Sequence, residues 1–208
     1  MTRDRSWRPL LALSALAAGV VLTRSELGDY NLGVSENNAA PTIHFLAGGD
    51  FGPAADVIPA MGLVSVLLRV PAAVIGGSDL LLAHRLGSLL CLIAVVALAF
   101  VLDRRATAQD RPLSYRLVLG VLVVAGPGVL WAIDAGHPEE FLGGALCVGA
   151  VLAAIERRTV LAAVLLGLAI GTKQWALLAV VPTLLAIGEP RWLDAERIKA
   201  GVLAAAVA

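Results

Sequence analysis

The chain has 208 residues, 59% of them apolar, with 16 basic and 16 acidic side chains and no net charge. Soluble domains are nearer half apolar and about a quarter charged; here 15% is charged and mean hydropathy is +0.85, which excludes an ordinary water-soluble globule. Nor is there a basic patch with interleaved aromatics, so a nucleic-acid partner is excluded as well. The fold class is all-α, a polytopic transmembrane helical bundle, with residues 1–208 forming a single membrane domain.

Arg3, Arg5 and Arg8 precede an apolar run over residues 9–23. A basic start before such a run suits a signal peptide or a retained first helix; in so apolar a chain the retained anchor is the reading adopted. Arginines before it place the N-terminus in the cytoplasm. Residues 24–56 form the longest polar stretch, a long first outer loop with Glu26, Asp29, Glu36, His44, Asp50 and Asp56. Loops of this length are often functional.

Residues 57–76 are apolar but interrupted by Pro59, Arg69 and Pro71. Were they to span, Arg104 and Arg105 would fall outside, against the positive-inside rule. They read as an interfacial or re-entrant segment, with Arg69 at the outer face. A span over 80–102 has His84 and Arg85 at its outer end and Asp103, Arg104 and Arg105 at its inner end. Residues 113–133 return outward, with a kink expected at Gly126–Pro127–Gly128, and 141–155 go back in to Glu156–Arg157–Arg158.

Residues 159–187 are apolar except for Gly171–Thr172–Lys173–Gln174. As one straight helix they would extend about 43 Å at about 1.5 Å per residue, longer than the hydrocarbon core. A broken pair, 159–172 with 174–187, fits better; such breaks are tolerated only against protein or a water-filled cavity. Residues 200–208 begin an incomplete span, so the chain is expected to be the N-terminal part of a longer protein. Cys91 and Cys147 lie inside apolar runs without a CxxC or Cys/His spacing, and read as small core residues.

The chain is organised around 131–140, WAIDAGHPEE, a polar turn between two spans. Ionisable groups at a membrane boundary are costly to desolvate and point to function. The topology gathers Asp29, Glu36, Asp50, Arg69, Arg85, Asp134, His137, Glu139 and Glu140 on one face, with Lys173 reaching them from within the bilayer. Carboxylates and cations at a lipid surface suit sugar transfer from a lipid phosphate. A carboxylate takes the proton of the attacking hydroxyl, and cations offset the charge growing on the phosphate leaving group. The plainer readings are solvated loop carboxylates, arginines snorkelling to headgroups, and Glu139 at a helix start where a carboxylate favours the dipole. Lys173 has the poorest plain explanation, because it is deep and needs a partner or an anion.

The segments Gly136–His137–Pro138–Glu139–Glu140 with 142–146, 169–178 with Lys173–Gln174–Trp175, and 38–41, 59–62 and 68–71 resemble the GT-C-type integral-membrane glycosyltransferases, in the polyprenol-phosphate-mannose-dependent, family 87-like branch. The resemblance implies a multi-pass plasma-membrane hexosyltransferase, a mannosyltransferase, with its active site on the outer face and a polyprenyl-phosphate sugar as donor. It implies inversion at the anomeric carbon and a first-outer-loop carboxylate as general base: Asp29 by position, or Glu36 or Asp50. Arg69, Arg85, His137, Glu139, Glu140, Lys173, Gln174 and Trp175 would bind substrate. It also implies further spans beyond Ala208, without which the fragment would be inactive.

No dedicated metal-ligand spacing is present, although outer carboxylates suit a divalent ion. Two other classes stay open. A transporter or lipid-linked sugar flippase also uses broken helices, though no second copy of the Gly-Thr-Lys-Gln break occurs. A non-catalytic scaffold would tolerate loss of the polar outer residues.

Overall fold

The computed structural model describes residues 7–24, 39–56, 62–187 and 195–208, and no strand occurs among them. Asp29 and Glu36 lie outside the described residues, as do residues 57–61. The chain builds α1 (Trp7–Arg24), α2 (Ala40–Gly48), α3 (Phe51–Asp56), α4 (Leu63–Gly76), α5 (Leu80–Ala108), α6 (Leu113–Ala125), α7 (Pro127–Asp134), α8 (Pro138–Ile155) and α9 (Thr159–Ile170). A 3-10 helix (Gln174–Ala179), α10 (Val180–Ala186) and α11 (Ala195–Val207) follow. Leu80–Ala108, Leu113–Asp134 and Pro138–Ile155 are long and apolar enough to cross a membrane. The protein is an integral membrane protein.

Part of the long first outer loop is helical, in α2 and α3. Ala40–Gly48 is apolar, has Pro41 in its first turn, and ends at Gly49 in the left-handed region (φ 82°). Ala39 and Ile43 pack with Val66 and Ala73 of α4, so burial rather than solvent holds the segment helical. Asp50 sits exposed at the corner between α2 and α3.

Helices α5 and α8 form the centre. Cys91, Leu92, Val95 and Ala99 of α5 pack with Phe141, Leu142 and Ala145 of α8, with Ala17 and Val21 of α1, and with Val124, Ala132 and Ile133 from α6 and α7. Alanines are interleaved with larger apolar side chains in these contacts, and small residues let helices approach closely in lipid. Cys91 and Cys147 are free and buried. The expected kink is a full break: Gly126 is extended (ψ 161°) and Pro127 opens α7, where its missing N–H costs nothing.

Two ionic clusters mark the ends of this centre. At one end Arg116 grips Asp103 through Nε–Oδ1 (2.7 Å) and Nη2–Oδ2 (2.9 Å), joining α6 to α5. Beside it Arg105 donates to Glu156 Oε1 (2.6 Å) and to the Leu152 carbonyl (3.0 Å), joining α5 to α8. The second cluster is built on Glu139 at the other end of α8. Glu139 and Glu156 are seventeen residues apart, about 25 Å at about 1.5 Å per residue. That is close to the roughly 30 Å of a hydrocarbon core, so the two clusters fit its two boundaries.

Candidate active site at the Glu139–Lys173 junction

Three local devices bring the second cluster together. First, α7 stops at Gly136, whose φ of 73° suits glycine, with Gly136 N–H donating to Ile133 and His137 N–H to Ala132. Pro138 then opens α8, which puts Glu139 and Glu140 in its first turn, where carboxylates favour the dipole. Second, α9 ends at Ile170. Thr172 and Lys173 both donate their N–H to Ala169, and Lys173 takes an extended conformation before the 3-10 helix. Third, the start of α4 lies against this break: Gly62 N–H donates to Thr172 O (3.0 Å) and Val64 N–H to Gly171 O (2.9 Å). A Cβ on Gly62 would overlap the Gly171 carbonyl, so only glycine allows the approach.

Glu139 is fully buried. Its Oε1 receives Lys173 Nζ at 3.2 Å and lies 3.0 Å from His137 Nδ1. Its Oε2 makes no hydrogen bond and has the Arg69 guanidinium at 4.0 Å. Lys173 Nζ also lies 3.2 Å from Glu140 Oε1, and Glu140 Oε2 receives Trp175 Nε1 at 2.6 Å. One buried carboxylate thus ties α4, α8 and the α9 break together. An ammonium has three donors; Lys173 hydrogen-bonds Glu139 with one of them and has Glu140 as a second ion-pair partner.

Arg69 is buried, its Nε donating to the Ser65 carbonyl (3.2 Å) and its stem lying against Gly87, where a Cβ would meet Cγ at 3.0 Å. Trp131 stacks on His137 (centroids 6.3 Å, 22°). Trp131 and Trp175 both stay exposed at the rim, the placement typical of aromatic residues at a membrane–water boundary.

Of the residues named from sequence, Arg69, His137, Glu139, Glu140, Lys173 and Trp175 converge here. Gln174 is exposed, opening the 3-10 helix. Arg85 is partly buried on α5, close enough to influence His84 electrostatically. His84 was passed over as a span end. Its Nε2 is buried without a hydrogen bond, within electrostatic reach of Arg69, Glu139 and His137. His84 stands three residues before Gly87, on the same helix face, but that signal has meaning only once α4 is known to pack there. Among the described residues no group of three or more His, Cys, Asp or Glu side chains is placed to hold a metal ion.

No curated protein and no solved structure matches the chain. The family model described as glycosyltransferase family 87 matches residues 54–208, a stretch that takes in every member of the Glu139 cluster. The chain belongs to glycosyltransferase family 87.

Proposed function

We propose that the Glu139–Lys173 junction is the donor-phosphate end of an active site on the outer face of the membrane. The donor is a polyprenyl-phosphate hexose, mannose in this reading. An acceptor hydroxyl attacks the anomeric carbon from the face opposite the phosphate. The bond from that carbon to the phosphate oxygen breaks, its electron pair stays on the phosphate, and the sugar is inverted. The hydroxyl proton passes to a carboxylate of the segment between α1 and α4: Asp29, Glu36 or Asp50.

The observation that carries this reading is Lys173, held at a helix break by ion pairs to two carboxylates and still partly exposed. Fixed donors aimed at developing charge stabilise a transition state without reorganisation. Glu139 is too deeply buried to touch an arriving lipid. In this reading it is a positioning residue that orients Lys173, Arg69 and His137, while Glu140 and Trp175 hold Lys173 from the exposed side.

The break in α9 also suits the runner-up, a transporter or lipid-linked sugar flippase. The discriminating experiment measures sugar transfer and lipid flux by the reconstituted protein, in the wild type and after Lys173→Met, Asp29→Asn, Glu36→Gln and Asp50→Asn singly. The proposal expects transfer to collapse with Lys173→Met and with one of the three carboxylate changes. Undiminished transfer in all four variants, or flux without transfer, would rule it out.

A further inference from the structure

At the end of α8 remote from Glu139 lies a concave, apolar groove of about 250 Å³ between α5, α8 and α9. Small side chains line part of it, Ala97 of α5 with Ala145 and Gly149 of α8, beside leucines such as Leu98 of α5 and Leu165 of α9. Along α8 the lining runs from Ala145 to Glu156, eleven residues or about 16 Å at about 1.5 Å per residue. Apolar side chains give way to charged ones only at its mouth, where Glu156 and Arg158 stand. A shallower depression adjoins it, sharing Arg158 and Leu161 and adding Arg157.

The charge at the mouth is positive. Arg105 takes up Glu156 at 2.6 Å, whereas Arg158 lies 3.7 Å from the same carboxylate with its side chain 63% exposed. Arg157, exposed and in the left-handed region (φ 61°), turns the chain at this corner. The neighbouring acid, Asp103, is already engaged by Arg116. A hydrocarbon slot that opens onto two guanidiniums at a bilayer boundary has the polarity of one occupant in particular. Basic pockets between membrane helices take anionic headgroups, and the alanines and glycine in the lining leave room for a chain.

We propose that this groove is a binding site for an anionic phospholipid drawn from the leaflet opposite the Glu139 cluster. One acyl chain lies against Ala97, Ala145 and Gly149, and the phosphate lies at Arg157 and Arg158. The lipid bridges α5, α8 and α9. This site is separate from the proposed active site and does not depend on the reading given to it.

The test is native mass spectrometry of the purified, delipidated protein titrated with phosphatidylglycerol or phosphatidylcholine of matched chains. The wild type is expected to retain one phosphatidylglycerol in preference to phosphatidylcholine. Arg157→Gln and Arg158→Gln each lower that preference about fivefold, the factor expected for one basic residue at an anionic surface. Ala97→Phe fills the slot from its exposed side and loses both lipids; Ile93→Phe, on exposed surface of the same helix, loses neither. Far-UV circular dichroism confirms that each variant keeps its helices. Equal retention of the two lipids by the wild type overturns the proposal, as does unchanged retention in Ala97→Phe. A change of oligomeric state in Ala97→Phe at constant lipid retention assigns the groove to a second copy and also overturns it.

Discussion

Lys173 Nζ lies 3.2 Å from Glu139 Oε1, 34 positions away in the chain, and the carboxylate is closed off from solvent on every side. Removing one partner of a buried pair leaves the other charge uncompensated, at a cost of about 3–5 kcal/mol, whereas removing both is far milder. Glu139 keeps Arg69 at 4.0 Å, which softens the loss. Lys173→Met is therefore expected to destabilise by about 3 kcal/mol at the low end of that range. Adding Glu139→Gln recovers part of it, with a coupling of about 1–3 kcal/mol in the double-mutant cycle. Denaturant unfolding in detergent measures all three variants, and strictly additive effects would show that the pair does not interact.

Gly62 and Gly171 touch through their backbones, so the strain of a substitution cannot be absorbed by a side-chain rotation. Gly62→Ala is expected to cost about 3 kcal/mol or more, the upper end of overpacking penalties, and to lower transfer by displacing α4 from the Lys173 break. Gly144→Ala meets nothing within 4 Å and is expected to be neutral or stabilising by up to about 1 kcal/mol. Thermal unfolding of the two variants side by side gives the comparison; equal effects would count against the close approach.

The Arg105 hydrogen bond holds the Glu156 carboxyl below the usual carboxylate range. A carboxylate with a depressed folded value contributes stability above its unfolded value and loses it as pH falls through the folded one. Glu156→Gln is thus expected to be less stable than the wild type at neutral pH. The gap should close in strongly acidic solution, once the wild-type carboxyl is protonated. A gap that persists unchanged at acid pH would assign the effect to packing. Unfolding midpoints recorded across that range provide the measurement.

Asp103 and Arg116 form the other buried pair, with side chains 10% and 8% exposed. Arg116→Leu alone should cost about 3–5 kcal/mol, and Asp103→Leu with Arg116→Leu should restore most of it. Transfer is expected to follow stability here and nothing more, because this pair sits at the boundary away from Lys173. A loss of transfer in a well-folded double variant would place this end of the bundle in the reaction.

The helical class was legible because long apolar runs admit few other solutions in lipid, where each backbone group must be bonded internally. The break at Gly171–Lys173 was legible for the same reason: a lysine among leucines demands a partner, and Glu139 and Glu140 supply it. What the sequence concealed came from long-range packing. Residues 40–56 end the longest polar stretch, yet Ala40–Gly48 is itself apolar and helical, with Ile43 buried against α4. Gly62 and Gly87 carry no chemical signature; their role appears only where α4 meets the Lys173 break and where Arg69 lies across α5. His84 lies near a span end, and nothing in the sequence shows that Arg69 and Glu139 come within its electrostatic reach.

Whether the Lys173 ammonium meets a lipid phosphate is best measured by equilibrium binding of polyprenyl phosphate and of the uncharged polyprenol to wild type and to Lys173→Met shown to be folded. A charge-assisted hydrogen bond contributes about 1.5–3 kcal/mol. The variant should therefore bind the phosphate about tenfold to a hundredfold more weakly, while binding the alcohol as the wild type does. Equal affinity of wild type and variant for polyprenyl phosphate would contradict the account and leave Lys173 as a structural cation alone.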